Sequence, residues 1–214
     1  MTAVPELLDA VKNRPASVGR MFLDRVESTP DREAYRYPTD DGWASLTWAE
    51  TRDRVWALAA GLISLGIKAE QRVAIASSTR LEWVLADLAI NCSGAATTTV
   101  YPNTAADDVG YILADSNSRV VFAEDATQVA KVMENRAKLD DLIKIVVFDG
   151  DGDGDLVMTL AELEQLGKAH LADHPSAVDD AVAAIGPEHL ATLIYTSGTT
   201  GRPKGVRLVN DSWV

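Results

Sequence analysis

The sequence of 214 residues contains a single cysteine, Cys92, and only three histidines. One thiol cannot form an intrachain disulfide, which excludes the disulfide-stapled class of small secreted proteins. Cys92 ends the apolar stretch 88–92, so we expect it to be a small buried side chain without a reactive role. The histidines stand in polar surroundings, where surface positions are expected rather than metal ligation; they are His170, His174 and His189.

Positive charge is also scarce. The 20 lysines and arginines are outnumbered by 32 aspartates and glutamates, which gives a net charge of −12. No segregated basic patch is visible, so nucleic acid is not expected as a partner. Hydrophobic residues nonetheless make up 47% of the chain. That apolar mass is enough to build a core and excludes a disordered tail.

Long apolar runs are missing as well. The most apolar stretch, 81–100, is interrupted by Glu82, Asp87 and Asn91, which argues against a membrane span. Residues 1–14 lack the basic-then-apolar order of a signal peptide. We therefore expect no transmembrane segment and a cytoplasmic protein.

What the sequence does contain is an alternation of short apolar runs with helical patterns. The runs are continuous, which is typical of parallel strands buried on both faces. The sequence thus predicts an α/β fold with a mostly parallel sheet flanked by helices. Predicted strands cover 33–37, 43–46, 72–76, 95–100, 119–123, 143–148 and 190–195; predicted helices cover 17–27, 47–65, 79–92, 105–115, 126–136 and a segment that begins at 159.

Several boundaries carry recognisable signals. Thr47 and Thr159 are each followed three residues later by a glutamate, which is the spacing of a capping box. Gly66 suits a left-handed helix stop, and Thr104 is expected to cap the helix that follows it. Residues 171–188 are rich in Asp and Ala and are expected to form a surface connection.

The most informative segment is 195–205, Tyr-Thr-Ser-Gly-Thr-Thr-Gly-Arg-Pro-Lys-Gly. Its glycines let the backbone turn tightly, and consecutive N–H groups in such a turn form an anion-binding concavity. The hydroxyls can donate hydrogen bonds to phosphate oxygens, and Lys204 adds a positive charge suited to a polyphosphate. The segment therefore predicts a local phosphate site in an acidic protein.

Two other phosphate-binding motifs do not fit this segment. A P-loop has Gly-Lys followed by Ser or Thr and leads into a helix. Here Lys204 precedes Gly205, and residues 206–209 look extended. The Gly-x-Gly-x-x-Gly fingerprint of dinucleotide-binding proteins is absent too.

The segment resembles the phosphate-loop signature of the adenylate-forming enzymes, which include acyl-CoA synthetases, peptide-synthetase adenylation domains and luciferases. Every fixed position of the pattern Tyr-Thr-Ser-Gly-Thr-Thr-Gly-x-Pro-Lys-Gly-Val is met. The resemblance extends from residue 16 to residue 214. Similarity to the long-chain fatty-acid–CoA ligase branch is carried by the segments 82–84, 86–89, 101–104 and 111–113.

In this family the loop binds the β- and γ-phosphates of ATP while a carboxylate attacks the α-phosphorus. The acyl-adenylate that forms then passes its acyl group to coenzyme A. The resemblance implies that the protein uses ATP, Mg²⁺ and coenzyme A and that its partners are small-molecule substrates. A peripheral contact with a membrane is compatible with it. Carried over to this sequence, the nucleotide-binding residues are Thr196, Ser197, Gly198, Thr199, Thr200, Gly201 and Lys204.

The family's adenine, ribose and magnesium contacts and its catalytic lysine are expected downstream of the loop. We therefore expect residues 1–214 to be a partial N-terminal AMP-binding domain that lacks the C-terminal domain, with no catalytic or metal-binding residue. On that basis the chain alone should not form acyl-adenylates. Three alternatives stay open: a peptide-synthetase adenylation domain, a fatty-acyl-AMP ligase, or a non-catalytic nucleotide-binding remnant.

One departure from the family pattern is visible after the loop. Asn210 stands where the family has a histidine, and Ser212 stands where it has an asparagine.

Two further patterns invite a metal site. The acidic run 149–155 has EF-hand spacing in part, but its twelfth position is Leu160, where a glutamate is required. We expect an acidic turn there. His170 and His174 are four residues apart, but Pro175 and a break after Leu171 argue against a shared helical face.

Overall fold

The structure, a computed structural model, describes residues 13–196 and 202–214 as helices packed on both faces of one sheet. The strands are β1 (Glu33–Thr39), β2 (Gly42–Thr47), β3 (Arg72–Ala76), β4 (Ala96–Val100), β5 (Ser118–Ala123), β6 (Lys144–Val147), β7 (Val157–Thr159), β8 (Leu190–Thr196) and β9 (Lys204–Val209). The helices are α1 (Val18–Ser28), α2 (Trp48–Ser64), α3 (Leu81–Cys92), α4 (Ala106–Asp115), α5 (Ala126–Glu134), α6 (Leu160–Asp173) and α7 (Ala177–Ala183), with short 3₁₀ turns at Arg136–Lys138 and Asn210–Ser212.

The predicted α/β class is confirmed. The sheet has the order β7-β6-β5-β3-β4-β8-β9. Its neighbours run parallel, except that β8 and β9 are antiparallel. The strands β1 and β2 form a separate antiparallel hairpin. The predicted elements lie within two residues of the observed ones at their ends.

Alternation along the strands divides the core between the two faces of the sheet. Val73 and Ile75 of β3 point into a cluster with α1, α2, α3, α6 and α7. Ala74 and Ala76 point into a second cluster with α4 and α5. Because successive strand residues face opposite sides, a strand buried on both sides must be apolar throughout. That requirement explains the continuous apolar runs in the sequence.

Glycines bring α2 and α6 into backbone contact. A Cβ added at Gly167 of α6 would lie 1.7 Å from the carbonyl oxygen of Ala57. A Cβ added at Gly61 of α2 would lie 2.6 Å from the carbonyl oxygen of Leu163. The two helices can approach this closely only because neither position carries a side chain.

Three of the four helix-boundary signals are confirmed and one is wrong. Thr47 and Thr159 both form complete capping boxes with the glutamates that follow them, and Gly66 adopts a φ of +83°. Thr104 does not cap α4. The N-cap position is Ala105, whose side chain offers no oxygen, and it makes no side-chain cap hydrogen bond.

The expectation of a mere connection over residues 171–188 is also wrong in part. The segment contains α7, whose Val178 and Val182 are buried in the core. These two residues are four positions apart, so they share one helical face, but two apolar residues make a weak periodic signal. The strand β7 escaped prediction because it has only three residues.

Helix α6 continues to Asp173, so the expected break after Leu171 does not occur. The imidazoles of His170 and His174 lie with ring centroids 4.7 Å apart. The acidic run after β6 forms a turn, as predicted: the Asp153 carboxylate accepts hydrogen bonds from the backbone N–H groups of Asp155 and Val157, each at 2.8 Å.

Cys92 is completely buried, as predicted. Burial raises the pKa of its thiol, so the reactive thiolate is suppressed. Among the helices of the described ranges, none is both long enough and apolar enough to cross a membrane.

Candidate nucleotide-binding hairpin

The predicted phosphate segment connects two strands at one edge of the sheet. Strand β8 pairs in parallel with β4, and it pairs in antiparallel fashion with β9. The connection from β8 to β9 leaves the sheet at the carboxyl end of β8. Ligands of open α/β sheets bind beyond the carboxyl ends of the strands, and Thr196, at the carboxyl end of β8, lies beside Lys204 at this edge.

Two of the predicted nucleotide-binding residues are described by the structure. Thr196 and Lys204 face each other as the last pair of the β8–β9 ladder, and both are exposed. The other five lie outside the described residues; they are Ser197, Gly198, Thr199, Thr200 and Gly201. The nucleotide-binding role of all seven stays a prediction.

The base of the hairpin is fastened to α4 by a hydrogen bond. Tyr195 is buried, and its hydroxyl donates to Oδ2 of Asp115 at 2.6 Å. Burial, followed by the hydrogen bond to the Asp115 carboxylate, raises the pKa of Tyr195 above its ordinary value. The phenol therefore remains protonated, and remains a donor, throughout the physiological pH range.

Gly205 allows β9 to lie against the Tyr195 ring. The two residues are paired in the ladder, and a Cβ added at Gly205 would lie 3.0 Å from Cζ of Tyr195. That distance is shorter than an ordinary van der Waals contact. The glycine of the Lys-Gly pair thus has a packing reason in addition to any contact with a ligand.

A second contact joins the hairpin to α4. The Arg202 guanidinium lies over the ring of Tyr111, 5.0 Å from its centroid. Tyr111 in turn meets Tyr195 edge to face, with centroids 6.5 Å apart. Sequence reasoning missed Tyr111, Asp115 and Arg202. The one signal that could have pointed to the first two is their spacing of four residues on a predicted helix.

The hairpin carries three cationic side chains that form no ion pair with the carboxylates of the described residues. Within residues 13–196 and 202–214, Arg202, Lys204 and Arg207 take part in no ion pair. In a chain with a net charge of −12, such a local cluster creates an attractive potential for an anion that the global charge does not.

Asn210, at the family's histidine position, has a structural role. Its side chain is 2% exposed. Its Oδ1 accepts from the N–H of Val18, at the start of α1, at 2.9 Å, and its Nδ2 donates to the carbonyl of His189 at 3.0 Å. Asn210 therefore ties the end of β9 to α1, and its amide oxygen and nitrogen are both engaged in hydrogen bonds within the protein.

The described residues contain no cluster of side chains that would bind the Mg²⁺ implied by the family. No group of three or more His, Cys, Asp or Glu side chains in the described ranges is arranged to hold a metal ion. The hairpin offers hydroxyl and cationic groups, and cations do not suit a divalent metal.

Comparison with known proteins identifies the family. The AMP-binding enzyme family matches residues 22–214. The chain is 36% identical over 198 residues to the long-chain-fatty-acid–CoA ligase FadD15 of Mycobacterium tuberculosis. The aligned region covers 92% of this chain and 32% of the ligase. The chain is also 38% identical over 190 residues to the phosphinothricin tripeptide synthetase PhsB of Streptomyces viridochromogenes. That aligned region covers 89% of this chain and 14% of the synthetase.

Solved structures show the same fold. The anthranilate CoA ligase AuaEII in complex with anthranoyl-AMP superposes with a TM-score of 0.75 at 22% identity, over 94% of this chain and 36% of the ligase. The N-terminal domain of FACL13 from Mycobacterium tuberculosis, bound to an inhibitor, superposes with a TM-score of 0.72 at 26% identity, over 91% of this chain and 44% of that one.

The chain spans about a third of the length of the FadD15 ligase, 32%. The resemblance inferred from residues 195–205 is confirmed, and so is the adenylate-forming fold. Because the family match covers nearly the whole described chain, this protein belongs to the AMP-binding enzyme family.

Proposed function

We propose that the chain supplies the polyphosphate-binding part of an ATP-dependent, AMP-forming acyl-CoA ligase. The observation that carries the proposal is the β8–β9 hairpin, which sets Thr196 and Lys204 opposite each other at the carboxyl edge of the sheet. The proposed acid substrate is a long-chain fatty acid, supported by the 36% identity to a ligase of that name. Coenzyme A is the proposed acceptor and the cytoplasm the proposed location.

The proposed role of the hairpin is to hold the β- and γ-phosphates of ATP. The Thr196 hydroxyl would donate a hydrogen bond to a phosphate oxygen, and the Lys204 ammonium would offset phosphate charge. A carboxylate is a weak nucleophile, so fixing the triphosphate relative to it contributes through orientation and charge stabilisation. When bound, Mg²⁺ would supply further positive charge to the phosphates.

A second candidate is an adenylation domain of a peptide synthetase. One finding favours it: the 38% identity to a tripeptide synthetase over 190 residues. The two candidates share the hairpin chemistry and differ in the acid that is activated and in the thiol that accepts it.

Calorimetric titration of the chain tests the phosphate site. We expect ATP and inorganic tripolyphosphate to bind more tightly than AMP, because only the former two present the phosphates that the hairpin would hold. Lys204→Ala should weaken ATP binding about tenfold, since it removes a charge-assisted hydrogen bond. The matched control is Lys168→Ala on the exposed surface of α6, which should bind like the unaltered chain. Equal affinity for ATP and AMP would contradict the proposal.

Exchange of labelled pyrophosphate into ATP tests the chemistry. The chain spans 32% of the FadD15 ligase, so we expect no exchange above the Lys204→Ala background with any member of a fatty-acid panel or an amino-acid panel. Exchange that depends on a fatty acid would show that the chain needs no further elements. Exchange that depends on an amino acid would establish the second candidate instead.

A further inference from the structure

Helix α4 presents two side chains to the hairpin from one face. Tyr111 and Asp115 are four residues apart, so they lie one above the other on the helix surface. Asp115 binds Tyr195, the residue before Thr196, and Tyr111 holds Arg202, two residues before Lys204. Each arm of the hairpin therefore has its own contact with α4.

The position of Asp115 is unfavourable for the helix itself. It is the last residue of α4, where the helix dipole favours cations and disfavours carboxylates. A carboxylate beside a polyphosphate site is also repulsive. The hydrogen bond from the buried Tyr195 hydroxyl, 2.6 Å long, offsets both costs. This points to a function of Asp115 toward the hairpin rather than toward α4.

The contact of Arg202 preserves its charge. An ion pair would cancel the guanidinium charge, whereas an aromatic face attracts it without neutralising it. Arg202 is exposed and lies 5.0 Å from the Tyr111 ring centroid. The ring therefore fixes the place of a cation that remains available to an anion.

Helix α4 is tied to α5 beneath these contacts. The Asn135 amide donates to the carbonyls of Ala106 and Lys131, at 2.8 and 3.1 Å, and so ties α4 to α5. A Cβ added at Gly110 would lie 2.2 Å from Oδ1 of Asn135. Since α4 is in close contact with α5 at this point, it can serve as a fixed reference for the hairpin.

We propose that Tyr111 and Asp115 of α4 are positioning residues, which hold Thr196 and Lys204 in binding geometry and present Arg202 as a further cation of the site. This inference rests on the proposed function for its ligand. The contacts of Tyr111 and Asp115 with the hairpin do not depend on the proposed function, because they can be tested without any ligand.

Hydrogen exchange of the unliganded chain tests the contacts. Tyr195→Phe and Asp115→Ala should each raise amide exchange in the peptide 190–209 by about threefold, since each removes one hydrogen bond that holds the hairpin. Asp115→Asn keeps an acceptor oxygen and should restore the slow exchange. The matched controls Tyr35→Phe and Asp108→Ala should leave this peptide unchanged. Unaltered exchange in Tyr195→Phe, or faster exchange spread over the whole chain, would overturn the proposal.

Titration with inorganic tripolyphosphate tests the consequence for binding. Removal of a negative charge near an anion should by itself strengthen binding. If Asp115 positions the hairpin, Asp115→Ala should instead weaken binding about threefold to tenfold. Asp115→Asn should bind at least as tightly as the unaltered chain, and Tyr111→Leu should weaken binding while Tyr111→Phe does not.

The two possible failures are distinguishable. If the unaltered chain does not bind tripolyphosphate, the proposed function is refuted, and the positioning contacts are then judged on hydrogen exchange alone. If the unaltered chain binds and Asp115→Ala binds as tightly or more tightly, the positioning role is refuted while the proposed function stands.

Discussion

Replacing Gly167 with alanine tests whether α2 and α6 pack backbone to backbone. The new Cβ would lie 1.7 Å from the carbonyl oxygen of Ala57 and 2.6 Å from the nitrogen of Gly61. Both are backbone atoms inside a helix and cannot rotate away as the end of a side chain can. The helices must therefore move apart, which loosens the packing between them.

The magnitude follows from two opposing effects. Overpacking a well-packed interface costs about 1 to 3 kcal/mol, and contact with rigid atoms belongs at the upper end. Alanine is the better helix former by roughly 1 kcal/mol, which offsets part of that cost. We expect a net loss of about 2 kcal/mol in the free energy of unfolding. For a chain of this size that corresponds to a melting temperature lower by about 4 to 8 °C.

Urea unfolding and thermal melting, both followed by circular dichroism, measure the effect. The control is Gly19→Ala in α1, where the nearest atom to a new Cβ is Cγ2 of Val182 at 3.3 Å. That side chain can shift, so overpacking does not offset the helix propensity of roughly 1 kcal/mol that alanine gains, and the control should not lower the free energy of unfolding. A Gly167→Ala variant as stable as the unaltered chain would refute the close approach of the two helices.

Three further substitutions probe other parts of the fold. Burial raises the pKa of Asp87 despite its hydrogen bond from Thr97, so folding favours the protonated acid, and its stabilising effect is lost as pH rises through the raised pKa. Asp87→Asn should therefore unfold at higher urea than the unaltered chain at pH 7 and lose that advantage in acid, by about 1.4 kcal/mol for each unit of the shift. Asn210→Ala leaves the Val18 N–H without its partner, while the His189 carbonyl keeps the hydrogen bond from the backbone N–H of residue 210, and it should lower the free energy of unfolding by about 2 kcal/mol in urea. Thr159→Ala removes a capping box and should lower it by about 1 kcal/mol in the same assay, whereas Thr159→Ser should not.

The strands and long helices could be predicted because their signals are local. Thr47 and Thr159 mark helix starts because each is followed three residues later by a glutamate that completes a capping box. The strands that are buried on both faces appear in the sequence as continuous apolar runs. Helix α7 gave too little signal, because only Val178 and Val182 mark its buried face. The Thr104 side chain has an oxygen that could cap a helix, but the N-cap position of α4 is the next residue, Ala105.

The candidate site divides in the same way. The hydroxyls, glycines and lysine of residues 195–205 are adjacent in sequence, so their shared chemistry is visible there. The contacts of Tyr195 with Asp115 and of Arg202 with Tyr111 join residues far apart in sequence. Such contacts depend on strand order and on which face α4 covers, and neither is encoded by a local pattern.

The antiparallel pairing of β8 and β9 has a consequence for the order in which the protein folds. Thr196 and Lys204 are only eight positions apart and pair across a hairpin, and hairpins close in about 1 to 10 μs. The pairing of β8 with β4 joins Thr97 to Thr192, and contacts between residues so distant in sequence form slowly because a long loop must close first. We therefore expect the hairpin to close early as a local unit. It should reach its final position late, when pairing of β8 with β4 brings Tyr195 into contact with α4.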